Sequence, residues 1–281
     1  MTTKFCLICT FLCGICLIGK SQTPQPALVT ADSLFESGQF LAARVAYERV
    51  LFAGGEPAEL FPAALGKARC LKQQGLYAPA VTFLNGQMQT NYPDSLLYLL
   101  RHEQILCAYL AGQFENTLSL IDRLPYLYPD ALPSPLLMAV RVLTLNELQR
   151  WPEADTAYHK LALYVRADTA RPNPYQHLPR LKSEKKAQWL STFIPGAGQL
   201  YAGKPAEAAL SLLAQSAGLY FGITSFLQGY YLSAWGVGAG LFGSFHAGGV
   251  RRAEVLVRQL NQKRAAAFNA QVRQQVLSLV K

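Results

Sequence analysis

Apolar and small residues recur with a period of 37 along positions 24–168. Gly38, Gly75, Gly112 and Gln149 stand 37 residues apart, and two positions after each comes an aromatic ring: Phe40, Tyr77, Phe114 and Trp151. Three further on are Ala43, Ala80, Thr117 and Ala154, followed by Tyr47, Leu84, Ile121 and Tyr158, then by Val50, Gln87, Leu124 and Leu161. Glycine takes the left-handed conformation that ends one helix and opens a turn. The aromatic packs where the next helix begins, and the small residue lets two helices approach. The bulky residues four and seven positions later continue one face at helical spacing. Upstream, Leu34, Leu71, Ala108 and Leu145 mark the matching face of each first helix. Each unit is predicted to be a helical hairpin that cannot bury its apolar face alone, so four units should stack as a solenoid.

A second pattern begins beyond residue 186. Between Ala208 and Val250 there are 43 residues without Asp, Glu, Lys or Arg. Two helices, at about 206–228 and 230–249, would each be long enough for a bilayer core of ~30 Å. Gly229 with Tyr230, Tyr231 and Trp235 reads as a turn inside an interfacial belt. Small residues lie four apart in both helices: Ala214, Gly218 and Gly222 in the first, and Gly236, Gly240, Ser244 and Gly248 in the second. Such stripes bring transmembrane helices into close contact, so Gly218, Gly222, Gly236, Gly240 and Gly248 are the expected helix-packing positions. A basic tail follows, with Arg251, Arg252, Arg258, Lys263 and Arg264. Its Leu256, Leu260, Val272, Val276 and Leu279 are spaced for an amphipathic helix along an anionic leaflet.

The columns of the first pattern resemble the tetratricopeptide repeat, whose second half reads G-x-aromatic-x-x-A, then a bulky residue, then a proline. Pro129 falls at the proline column and Pro93 one residue past it. The first helices depart from the family: Ala27, Ala64, Arg101 and Met138 replace its tryptophan, and Ile105 and Val142 stand where Ala31 and Ala68 keep a small residue. The resemblance implies a protein-interaction scaffold with a groove lined by first helices. By register Arg69, Lys72, His102, Leu106, Tyr109 and Asn146 face that groove, either as partner contacts or as an ordinary solvated face. The Lys/Asn set of the family's carboxylate clamp is missing. Cys70 and Cys107 occupy equivalent positions in neighbouring units. Equivalent helices sit about 8–10 Å apart, beyond disulfide reach, so packed thiols are expected.

Ahead of the uncharged stretch, Pro195-Gly196-Ala197-Gly198-Gln199-Leu200-Tyr201-Ala202-Gly203 resembles a P-G-x-G-Q-x-Y-x-G motif of small bacterial membrane domains, often followed by a hydrophobic hairpin. Its Pro195, Gly196, Gly198, Gln199, Tyr201 and Gly203 are therefore candidate membrane-motif residues. Pro195 breaks or kinks a helix, the glycines permit close approach, and Gln199 needs a polar partner in apolar surroundings. Without a further glycine or G-K-[ST], this is no phosphate loop.

Charge and the N-terminus locate the chain. Charged residues are 15% of 281, against a usual value of about 25%. Residues 1–178 hold 14 Lys+Arg and 14 Asp+Glu, and residues 179–281 hold 12 and 3, which accounts for the net +9. Positive charge flanking an uncharged stretch is the pattern of membrane-adjacent loops rather than of nucleic-acid binding. Lys4, the apolar run Phe5 to Ile18 and Gly19-Lys20-Ser21 form an export leader with a small-x-small cleavage site, and an uncleaved anchor is the rival reading. Cys6, Cys9, Cys13 and Cys16 fall inside this leader and read as small apolar residues.

The expected fold is all-α, laid out as leader (1–21), repeats (22–170), Pro-rich and basic linker (171–186), membrane module (187–250) and amphipathic tail (251–281). Two crossings would return the basic tail to the side of the linker, against the positive-inside tendency. Three crossings, with 187–203 as an extra kinked helix, put Lys204 and the tail on the cytoplasmic side and are the expected topology. No H-E-x-x-H, G-x-S-x-G or mature C-x-x-C is present, and neither cofactor nor metal is implied. The leading expectation is a non-enzymatic scaffold in a bacterial inner membrane, its repeats on the periplasmic side and bound to a protein partner, in an unspecified oligomeric state. The alternative is a transport or membrane-protein-assembly component in which Gln199, Gln215, Gln228 and His246 form a polar path.

Overall fold

The computed structural model describes residues 24–167 and 172–280. The leader expected at 1–21 and residues 168–171, at the junction of the expected repeats and linker, lie outside the described residues. Every regular element among the described residues is helical. The chain divides into two compact units, Met1–Leu148 and Gln149–Lys281, so the division falls within the fourth 37-residue unit.

The first unit holds α1 (Pro24–Glu36), α2 (Phe40–Ala53), α3 (Pro57–Gln73), α4 (Tyr77–Gln87), α5 (Asp94–Leu110), α6 (Phe114–Leu127) and α7 (Pro135–Glu147). Consecutive helices pack on one another, and each odd-numbered helix also touches the next odd one. The turns follow from their residues. Gly38, Gly75 and Gly112 have φ of 77°, 73° and 72°. Their amides donate to Phe35, Lys72 and Tyr109, while the next amide reaches back to Leu34, Leu71 and Ala108. This paired closure satisfies carbonyls left over at the end of a helix. The residue after each glycine then accepts from the amide of Ala43, Ala80 or Thr117, opening the next helix. Those three small residues are 0% exposed.

Two apolar clusters stand out among the described residues of the first unit. Ala31, Ala43, Tyr47, Val50, Ala63 and Cys70 form one. Leu71, Leu84, Leu100, Ile105, Cys107, Ile121 and Val140 anchor the other. Gln74 Nε2 donates to the Phe40 carbonyl at 3.0 Å, tying one turn to the next.

The second unit contains α8 (Trp151–Tyr164), a short 3-10 turn (Pro174–Gln176), α9 (Glu184–Phe193), α10 (Ala197–Tyr201), α11 (Pro205–Leu227), α12 (Tyr231–Ser233), a π-helical segment (Ala234–Ala239) and α13 (Gly240–Val280). Gln149, at the fourth glycine column, takes φ of 57° ahead of α8, which begins at Trp151. Residues 187–203 form no continuous third helix. They break at Ile194–Gly196, because Pro195 cannot donate a helical amide bond and Gly196 takes φ of 84°.

The tail differs from its expectation in what covers it. Ala253, Leu256, Val257, Ala265, Phe268, Val272 and Val276 are buried by protein rather than left for a leaflet. Ala187 and Ala202 meet Ala253, Leu256 and Val257 in one cluster. Trp151 and Tyr175 meet Phe268 edge-on at 5.7 and 5.8 Å. By contrast α11 exposes Leu210, Leu213, Leu219, Tyr220, Ile223 and Phe226. Among the described residues it is the helix long and apolar enough to cross a membrane.

Candidate functional site

The six predicted groove residues do not make one open set. Arg69 is exposed. Lys72 instead pairs with the buried carboxylate of Glu103 on α5. His102 is half-buried, its Nε2 3.2 Å from Ser134 Oγ, and burial lowers its pKa below the ordinary value. Leu106 and Tyr109 pack against the larger core cluster, and Asn146 is 1% exposed. Counting helix faces by register takes no account of how fully the inner faces of α5 and α7 are covered. Cys70 and Cys107 are free and fully buried, in separate clusters. Burial pushes their thiols up to about 11 and about 12, so neither is a nucleophile at neutral pH.

One concave surface of the first unit is not announced by the sequence. Tyr98, Leu124, Tyr128, Leu132, Met138 and Arg141 are among the walls of a cleft of about 530 Å³ between α5, the α6–α7 connection and α7. Tyr98 and Tyr128 meet edge-on at 5.6 Å. Pro129 and Pro133 stiffen the connection, and Pro135 opens α7. Leu132 is 82% exposed at the rim. Apolar walls with a few polar atoms (Ser134, Arg141, Asp130) suit an apolar or aromatic side chain carried by a polar backbone.

In the second unit the P-G-x-G-Q-x-Y-x-G residues form a packing hub. Gly196 lies so close to α11 that a Cβ would sit 2.6 Å from the Ala208 carbonyl. At Gly198 a Cβ would meet the Ala187 carbonyl and Ser191 Oγ at 2.3 Å and Ala253 Cβ at 2.6 Å. Gln199, 1% exposed, accepts from Ser191 Oγ at 3.1 Å and donates to the Gly249 carbonyl at 3.0 Å. Tyr201 accepts from the Ser183 amide, and the Lys182 ammonium lies over its ring at 4.9 Å. Gly203, φ of 81°, ends α10 in the same paired closure as the glycine turns above.

Next to the hub, Gln215 donates to Ser211 Oγ at 3.1 Å and lies 3.2 Å from His246 Nδ1. Three members of the anticipated polar path, Gln199, Gln215 and His246, thus gather at one end of the hairpin. Gln228 caps the far end of α11, 13 residues or ~20 Å from Gln215.

The helix-packing glycines need a partial correction. Gly218 and Gly222 do face the returning chain: their Cβ positions lie 3.2 Å from the Phe242 amide and 3.4 Å from Gly238 Cα. Gly236, Gly240 and Gly248 have open space where a Cβ would be. The seam on the returning helix runs instead through Ala234, Gly238, Phe242 and Gly249. The π-helical segment widens the turn at 234–239 and presents Gly238 rather than Gly236 and Gly240.

Among the described residues no group of His, Cys, Asp and Glu is set to hold a metal ion. Comparison with protein-family models, with curated proteins and with solved structures found no match to this chain.

Proposed function

We propose that the chain is a non-enzymatic, membrane-anchored interaction scaffold of a bacterial envelope. In this reading the 37-residue units form a tetratricopeptide-like solenoid that engages a protein partner, and residues 205–250 form a two-helix anchor. The single observation that carries it is the contrast within one chain. Helices in register close their turns and bury their small residues, while α11 leaves its large apolar side chains uncovered along 23 residues. Uncovered Leu, Ile and Phe over that length cost too much in water and suit a hydrocarbon solvent. The partner surface in this reading is the cleft bounded by Tyr98, Tyr128 and Leu132, with Arg69 as an outlying contact.

The anchor is a two-crossing hairpin. The Lys182 amide donates to Asn261 Oδ1 at 2.8 Å, and Asn261 Nδ2 returns a bond to the Lys182 carbonyl at 2.8 Å. Glu184 pairs with Arg258. These contacts hold linker and tail together, whereas three crossings would part them by a bilayer. The tip at 228–231 carries no charge and crosses cheaply from the exported side.

Two measurements test the proposal. The full-length chain should resist alkaline extraction from membranes, and deletion of 205–250 should release it. A photo-crosslinking residue placed at Leu132, or in a second variant at Arg69, should give a discrete adduct in cells that make the protein, the Leu132 adduct weakened by Tyr128→Ala. Release of the full-length chain by alkali would end the anchor reading. Absence of an adduct at both Leu132 and Arg69 would end the scaffold reading. The Gln199–Gln215–His246 gathering favours a second reading, a transport or membrane-protein-assembly component, which predicts solute flux in proteoliposomes where a scaffold gives none.

A further inference from the structure

We propose that α9, α10 and the break between them form an interfacial foot, which seats on the anionic headgroups of the leaflet from which the hairpin descends. The foot rests on the hairpin reading and adds to it a lipid-binding surface. The uncharged stretch begins at Ala208 and ends at Val250, so the bilayer boundary passes through both of those levels. The hub reaches both. Gly196 abuts the Ala208 carbonyl, and Gln199 donates to the carbonyl of Gly249. The segment between Phe193 and Leu200 is therefore level with the ends of the two spans.

What this segment turns outward is apolar. Trp189 is 64% exposed, Phe193 72%, Ile194 61% and Leu200 58%. Trp189 and Phe193 stack at 5.4 Å on the face of α9 opposite the buried Ala187 and Ser191. An aromatic pair beside a cationic collar is the composition of a membrane interface. The collar is unbalanced: positions 180–207 and 251–264 hold ten Lys and Arg against Glu184, Glu207 and Glu254. Eight of the ten are exposed, and Lys182 and Arg264 are half-buried. At the other end of the hairpin, Tyr230, Tyr231 and Trp235 are exposed as the matching belt. Most of the tail's apolar face is unavailable for this role, because Leu256, Val257, Val272 and Val276 are covered by protein.

Tryptophan depth quenching tests the foot and separates it from the hairpin. Trp189 and Trp235 are both exposed, so Trp189→Phe and Trp235→Phe leave the packing intact. The quenching lost with each substitution reports that ring. The full chain is reconstituted into phosphatidylcholine vesicles, with or without phosphatidylglycerol, containing lipid brominated at its upper acyl carbons. Trp189→Phe should remove a clear share of the quenching in the phosphatidylglycerol vesicles and less in pure phosphatidylcholine. Trp235→Phe should remove a share in both. Loss with Trp235→Phe but none with Trp189→Phe would overturn the foot and leave the hairpin standing. Equal loss with Trp189→Phe in both vesicles would overturn the anionic preference. No quenching of either ring would overturn the hairpin reading itself.

Discussion

The ring of Tyr47 lies against the backbone of Gly66, so close that a Cβ at that glycine would sit 2.4 Å from Tyr47 Cζ. The tyrosine is held there by its hydroxyl, which donates to Asp32 Oδ1 at 2.6 Å. One side chain thus joins α1, α2 and α3. Gly66→Ala should destabilise the first unit by about 1–3 kcal/mol, because the ring has no free volume to move into. Tyr47→Phe, which keeps the ring, should cost only about 1 kcal/mol. Denaturant midpoints of the two variants check the order, and a Gly66→Ala variant as stable as wild type would refute the close contact.

The two classes of glycine in the second unit should respond oppositely. Gly198→Ala forces a methyl against the Ala187 carbonyl and Ser191 Oγ and should cost about 3 kcal/mol. Gly236→Ala adds a methyl where nothing lies within 4 Å. It should be neutral, or stabilising by up to about 1 kcal/mol from helix propensity. Thermal unfolding in detergent micelles measures both.

Gln149 holds a left-handed conformation that glycine adopts at no cost and other residues at ~1–2 kcal/mol. Gln149→Gly should therefore raise stability by about 1 kcal/mol, and Gln149→Ala should leave it unchanged. Equal effects of the two substitutions on the unfolding midpoint would show that the turn carries no strain.

His102 predicts an acid-side weakness. Burial lowers its pKa from the ordinary 6.5, so the folded chain binds fewer protons at this site than the unfolded chain. Its contribution is present above about pH 6.5 and is lost as pH falls through the folded value. The unfolding midpoint should drop on acidification from about pH 7.5 to about 5.5, and His102→Gln should flatten that drop.

The turns of this chain are legible in its sequence, and the tertiary partners are not. Gly38, Gly75 and Gly112 announce their own backbone conformation, and the aromatic two positions on marks where α2, α4 and α6 start. Even Gln149 keeps the pattern through Trp151. Pro195 and Gly196 announce the break between α9 and α10. What packs around that break leaves no periodic trace, because Gln188–Glu254 and Lys182–Asn261 join positions 66 and 79 residues apart. The packing face of 234–249 escapes the sequence for a related reason. Where nearly every residue is apolar or small, no polar side marks the outward direction, and the fit of Gly238 against Gly222 decides it. The groove residues differ from expectation through burial: no one-dimensional register tells that Lys72 will meet Glu103. The cleft gives no sequence signal because its walls come from an aperiodic, proline-rich connection.

Gly240–Val280 is a single helix of 41 residues, ~60 Å long, whose first turns are apolar and whose later turns carry Arg251, Arg252, Arg258 and Arg264. It is a rigid axle. A twist of its apolar end must swing Ala253, Leu256 and Val257 through the same angle against α9. With the hairpin as the membrane anchor proposed above, a change in bilayer thickness would reach the far end of the rod as torque rather than as displacement.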